Sequence, residues 1–237
     1  MEFKADALLL RAADYGENDK IVTLLTAQRG KIAAALKGVK KAGAKLRFAA
    51  QPFCFAEYVL AERGTRNTVT SASLYDGFFG LCEDVTRFYA AAVVTDACDK
   101  LALEGMQSGT LLVAAVSALE GLCADDELAL VRFLLAALTF AGYPVEAGEC
   151  PACGKQPTGR MRFSFADGAF FCDACLPDAV PASASTFAAI RAAQGTGEAT
   201  SDGIVRALRL LGAYFARQVG TELVTLTEYL RLGHCNG

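Results

Sequence analysis

The chain has 237 residues, a net charge of −3 and 53% hydrophobic residues, with a mean hydropathy of +0.30. This composition excludes a largely disordered chain and supplies a core that needs no covalent staples. The nine cysteines are an odd number and mostly unpaired in spacing, and Met1–Asp6 mixes charges of both signs without a following apolar run. Disulfide scaffolds and secretory signals are therefore disfavoured, and an intracellular, reducing location is expected.

The first third of the chain alternates between short apolar runs and turn residues. Strands are expected at Phe3–Arg11, Lys20–Thr26, Lys31–Leu36, Pro52–Leu60 and Arg66–Leu74, separated by Tyr15–Asp19, Gln28–Gly30, Gly38–Gly43 and Glu62–Gly64. Five short strands at this spacing predict a small barrel. The Lys37–Arg47 loop concentrates cations around Gly38 and Gly43 and is expected to be mobile.

Beyond Asp76 the apolar period becomes helical. Val85, Phe88, Tyr89, Ala92, Val93, Ala97 and Leu101 share one face of a helix ending near Gly105. Further helices are expected at about 109–122, 126–141, 184–194, 203–219 and 222–232, with Asp202 and Thr221 as N-caps and Gly233 as a stop. The run from Leu128 to Val145 contains Arg132 and is too short for the roughly 20 residues of a bilayer span, so no membrane association is expected.

Two tight cysteine pairs interrupt the helices. Cys150-Pro151-Ala152-Cys153 and Cys172-Asp173-Ala174-Cys175 are 18 residues apart, and each turn places two sulfurs on one side of a loop. Four thiolates so arranged suit a closed tetrahedral site for structural zinc. An iron–sulfur cluster, a redox dithiol and disulfides are the competing readings. Met161–Phe165, the Asp167-Gly168 turn and Ala169–Cys172 predict a hairpin between the pairs. The domain expectation is thus strands over 1–78 and helices over 79–237, with the cysteine knuckle inserted at about 146–180.

Charge is distributed unevenly. Residues 1–66 carry 12 Lys and Arg against 7 Asp and Glu, whereas the remainder carries 11 against 19. Lys20, Arg29, Lys31, Lys37, Lys40, Lys41, Lys45 and Arg47 fall in residues 20–56, which contain no acid. Such a stretch opposing an acidic remainder points to nucleic-acid contact, the alternative being a solvated cationic face. Phe48, Phe53, Phe55 and Tyr58 lie nearby; they can stack on bases or fill the barrel, and filling is the simpler expectation.

Catalytic signatures are absent. The single histidine, His234, reads as a solvated tail residue, and neither a phosphate-binding nor a dinucleotide-binding glycine motif occurs. Asp125-Asp126 and Glu83-Asp84 precede expected helices and read as caps. No enzyme is expected, although a thiol oxidoreductase using the cysteine pairs and an RNA-binding or translation-associated zinc protein remain alternatives.

Several blocks resemble the bacterial RecO family: Gly16–Thr26, Gly30–Ile32, Lys37–Lys41 with Lys45-Leu46, Ala141–Pro144 before Cys150, Phe163-Ser164, and Tyr229–His234. The resemblance implies an α+β protein with an N-terminal five-stranded OB-fold barrel, then an all-α domain with an inserted four-cysteine zinc finger. It also implies a cytoplasmic, nucleoid-associated mediator of recombinational DNA repair. Such a protein binds single- and double-stranded DNA, anneals complementary strands, and acts with RecR to help RecA replace SSB, whose acidic C-terminal tail docks on the helical domain. By motif it assigns DNA contact to Lys20, Lys31, Lys37, Lys40 and Lys41, whereas Arg29, Lys45 and Arg47 rest on charge alone. The family's basic loop is often richer in Arg, so the lysines here imply point-charge phosphate contacts.

Overall fold

Small inward residues set the barrel's dimensions. On β1 (Glu2–Tyr15), Ala5, Ala7 and Leu9 face inward, opposite Ala56, Tyr58 and Leu60 of β4 (Phe55–Arg63). The alanines leave room for the buried Tyr58 ring, whose hydroxyl donates to the Ala49 carbonyl at 3.1 Å. Val22 and Leu24 of β2 (Asp19–Thr26), Ala34 and Leu36 of β3 (Gly30–Leu36) and Val69 of β5 (Arg66–Asp76) complete this interior. The strands close in the order β1-β2-β3-β5-β4, the OB-fold arrangement, with β3 and β5 paired in parallel at Ala34–Asn67 and Ala35–Thr68. A register shift between Leu9 and Arg11 inserts one extra residue into β1 and bends it.

In this computed structural model residues 1–232 are described, so Gly233 and His234 lie outside it. Two compact units are present, Met1–Cys123 and Ala124–Gly237. Strands give way to helices just after Asp76, yet the first unit continues through α1 (Val85–Leu101) and α2 (Gly109–Cys123), because these helices pack on β1 and β2. They cover Leu8 and Leu25, both 0% exposed on the barrel's outer surface. Asp84 caps α1 by accepting from the Arg87 amide at 2.8 Å.

The β2–β3 turn is tied to the segment joining the two helices. Ser108 N donates to Ala27 O at 2.8 Å, Gly105 N to Arg29 O at 2.9 Å, and Lys31 N to Leu103 O at 3.3 Å. Gly30 has φ +60°, and a Cβ there would lie 2.0 Å from the Leu103 carbonyl oxygen. Gly30→Ala therefore combines a left-handed backbone with a backbone collision. It is expected to destabilise the first unit by about 2–4 kcal/mol in urea unfolding.

In the second unit, α3 (Ala129–Phe140), α4 (Ala184–Ala193), α5 (Ser201–Val219) and α6 (Val224–Leu232) surround a three-stranded sheet. Its order is β7 (Ala169–Cys172), β6 (Met161–Ser164), β8 (Val180–Ala182). The hairpin is the expected one; β8 is additional, its short Val-Pro-Ala stretch being legible only through pairing with Met161–Phe163. Phe163 lies edge-on to Phe170 at 5.0 Å and to Tyr214 at 5.4 Å, and Phe170 reaches Phe187 at 5.0 Å, which anchors the hairpin to α4 and α5. The cap of α5 is Thr200, whose side chain accepts from Gly203 N, and Asp202 instead pairs with Arg206 one turn on. Thr221 lies before the start of α6 at Val224. No helix among the described residues is long and apolar enough to cross a membrane.

Candidate nucleic-acid interface and metal centre

The cation-rich segment after β3 is a succession of turns. Gly38 N donates to Asp19 Oδ1 at 2.7 Å, Lys40 N to Asn18 O at 3.0 Å, Ala44 N to Lys41 O and Arg47 N to Ala44 O, each at 3.2 Å. Asn18 of the β1–β2 turn and Asp19 at the start of β2 supply two of its acceptors. It ends in a short 3-10 turn, Arg47–Ala50, where Ala49 and Ala50 plug the barrel interior.

The eight candidate cations divide into two groups. Lys20 pairs across the sheet with Leu36, so Lys20, Lys37, Lys40, Lys41, Lys45 and Arg47 cluster where β2 begins and β3 ends. Arg29 and Lys31 belong to the opposite end of the β2–β3 hairpin, five residues along β3 and therefore about 17 Å away.

Their partners differ as well. Lys31 Nζ lies 3.1 Å from Asp99 Oδ1 and also donates to the Asp99 carbonyl, bracing the barrel against α1. Arg29 Nη1 lies 3.3 Å from Glu62 Oε2, with its guanidinium 3.7 Å above the Phe3 ring. Lys40 and Lys20 share Asp14, at 2.8 and 3.6 Å, and the Lys40 hydrogen bond, with Lys20 assisting, holds the Asp14 carboxyl below its usual range. Lys37, Lys41 and Lys45 are exposed and make no ion pair among the described residues, while Arg47 donates to the Lys41 carbonyl at 3.0 Å. Three unneutralised ammonium groups on a hydrogen-bonded loop make a suitable phosphate-binding surface.

Sequence reasoning passed over Arg63 and Arg66, exposed on the β4–β5 turn beside Gly64. In an OB-fold this turn flanks the ligand-binding face. Its Arg-Gly-Thr-Arg pattern was the available signal. Of the aromatic candidates, Tyr58 and Phe53 are buried, Phe48 packs against the barrel core, and Phe55 pairs with Tyr75 at 5.2 Å.

The four cysteines of the knuckle converge. The Sγ atoms of Cys150, Cys153, Cys172 and Cys175 all lie within 4.8 Å of one another, those of Cys153 and Cys172 at 3.8 Å. Cys172 N points at Cys150 Sγ from 3.5 Å. Burial opposes ionisation of Cys150, but amides of Cys172, Ala152 and Cys153 outweigh it and bring the thiol down to about 6. Cys175 is pushed up to about 12 by its bond to Cys153 and by burial, and Cys172 is raised by burial and then by Cys153 and Cys150. Cys150 thus carries the first negative charge, and Cys172 and Cys175 resist a second. The four can hold a metal ion, whose charge removes that resistance. Phe171 packs against Cys150 on one face of β7, and Phe170 faces the helices on the other.

Two family models cover nearly all of this architecture: Recombination protein O N terminal matches residues 1–78, and Recombination protein O C terminal matches residues 82–227. The chain belongs to the RecO family. Similar RecO relatives, each named DNA repair protein RecO, include that of Desulforamulus reducens, 31% identical over 73% of this chain and 68% of the relative. The protein of Desulfitobacterium hafniense strain DCB-2 is 33% identical over 73% of this chain, the match spanning 64% of that relative's length. The one from Myxococcus xanthus is 28% identical over 96% and 97% of the two chains. The RecO family places the chain in DNA repair and recombination.

Proposed function

We propose that this chain is a non-enzymatic DNA-binding mediator, working in the cytoplasm at the nucleoid. It anneals complementary strands and, with RecR, helps RecA replace SSB on single-stranded DNA. The observation that carries this reading is the cluster of unpaired Lys37, Lys41 and Lys45 at the rim of a five-stranded barrel. Neutralising phosphates lowers the repulsion between two strands, and steep salt dependence follows from counterion release. Lys20 and Lys40 join once DNA phosphate displaces Asp14, whereas Arg29 and Lys31 contribute mainly to holding the barrel together.

Zinc is the ion this reading assigns to Cys150, Cys153, Cys172 and Cys175. Sulfurs arranged tetrahedrally at the Zn–S distance of about 2.3 Å lie about 3.8 Å apart, which matches the Cys153–Cys172 separation. Bound there, zinc would supply no open coordination position, only a fixed knuckle.

For the partner SSB, the reading uses a groove of about 770 Å³ between α5 and α6, lined by Ala213, Ala216, Leu223 and Leu226 together with Arg209, Arg231 and a single acid, Glu222. In this reading the apolar floor takes the hydrophobic part of the tail, and Arg231 meets its acids by exchanging the Glu228 carboxylate, 2.7 Å away, for one of them. Gly212 lets α6 approach α5 closely at Leu226, since a Cβ there would come within 2.6 Å of Leu226 Cδ2.

Strand annealing with bare and SSB-coated oligonucleotides tests the proposal. Wild type should accelerate both, and Ala213→Trp should slow only the coated reaction. Asp14→Asn, which releases Lys20 and Lys40, is expected to bind DNA roughly two- to fivefold more tightly at low salt and no more tightly at high salt. Equal acceleration of RNA and DNA of one sequence would favour the RNA-binding alternative.

A further inference from the structure

A cavity of about 360 Å³ opens between β1 and α1 in the first unit, and nothing in the phosphate-binding surface accounts for it. Arg11, Lys20, Gln51, Phe53, Phe88 and Ala92 are among its walls. The register shift at Leu10 lies in β1 beside the cavity, and Ala50, Gln51, Pro52 and Phe53 line its other side. Phe53 sits there at φ +63°, a conformation bulky residues avoid, with its ring edge-on to Phe88 at 5.4 Å. The half-exposed Phe88 thus presents an aromatic wall to the opening.

The polar groups of this cavity suit a nucleotide. Arg11, whose side chain is 70% exposed and donates to Thr23 Oγ1 at 3.2 Å, and Lys20, once released from Asp14, offer phosphate contacts. The exposed Gln51 makes no side-chain hydrogen bond among the described residues and so keeps both amide donors and its acceptor for a base edge. Gln51 follows Arg47 by four residues, and Lys20 lies both in the cationic cluster and in the cavity wall, so the two surfaces adjoin. A paired base cannot enter without leaving its helix, whereas an unpaired base can.

We propose that this cavity accepts one unstacked nucleobase of a single strand, giving the barrel a contact that duplex DNA does not make. The inference rests on the DNA-binding reading above and adds a base site to it. It also supplies a means of holding a strand with neighbouring bases free to pair.

Two measurements test it, neither requiring the identity of a preferred base. In the first, wild type is titrated with oligothymidylate and with an abasic deoxyribose-phosphate oligomer of equal length. Binding of the abasic oligomer about tenfold more weakly is expected; equal binding overturns the base site. In the second, Ala92→Phe fills the cavity from α1, with a 2-aminopurine oligonucleotide as the fluorescent probe. Single-strand affinity should fall about tenfold and the fluorescence change should disappear, with duplex affinity unchanged. Wild-type fluorescence and affinity in the folded variant, or equal losses on both DNA forms, would refute it. Should Ala92→Phe fail to fold, Gln51→Ala and the abasic comparison decide the matter. Wild type that binds neither oligonucleotide removes the DNA-binding reading itself, a result distinct from equal binding of the two.

Discussion

Replacing Lys37, Lys41 and Lys45 together by Glu is expected to weaken DNA binding at least a hundredfold at about 0.1 M salt, with little change in thermal stability. Each lysine is exposed and without a carboxylate partner among the described residues, so no internal pair is broken. Each substitution both loses a phosphate contact and adds repulsion. The slope of log affinity against log salt should become shallower by about 2 on single strands, three contacts at roughly 0.7 each. Lys31→Gln provides the contrast: it removes the strut to Asp99, so it should lower stability more than affinity. A triple variant with wild-type affinity and slope would sink the assignment of this loop.

Replacing Cys150 by Ser is expected to abolish stoichiometric zinc binding and to destabilise the second unit by about 3–5 kcal/mol. Cys150 is the most buried of the four cysteines, and its sulfur receives the Cys172 amide, so its loss opens the cluster from inside. Complete unfolding is not expected, because Phe163 and Phe170 remain packed on Tyr214 and Phe187. Hydrogen exchange should therefore localise the loss to residues around 148–160 and 172–179. Full zinc content by elemental analysis together with an unchanged unfolding midpoint would refute a closed four-sulfur site.

Legibility in the sequence depended on how locally each feature is encoded. All five barrel strands follow from alternation and turn residues within single runs, and the six α-helices of the described residues from apolar spacing. The four-cysteine site is equally local, because each Cys-x-x-Cys turn is self-contained and a hairpin joins the two. The charge reading went less far. A window from residue 20 to 56 contains no acid, yet Asp14, Glu62 and Asp99, all outside it, fold back onto Lys20, Lys40, Arg29 and Lys31. Chain distance concealed those neutralising contacts. The cap of α5 shifted to Thr200 because its hydroxyl reaches the Gly203 amide while Asp202 turns toward Arg206. Arg63 and Arg66 were counted in the total charge but acquired a location only once β4 paired with β5, which sets them face to face at the turn. The cavity beside Phe88 requires a bend in β1 and a helix packed across it, and no single stretch of sequence records either.

The backbone clasp around Gly30 also bears on how the molecule can be divided. A fragment ending at residue 78 would keep every strand of the barrel but lose the partners of Ala27, Arg29 and Lys31, and would open Leu8 and Leu25 to water. The barrel with its two following helices, Met1–Cys123, keeps these contacts within one compact unit. A chimera with a relative's barrel that is joined after that second helix would keep the clasp, whereas one joined where the last strand ends would sever it.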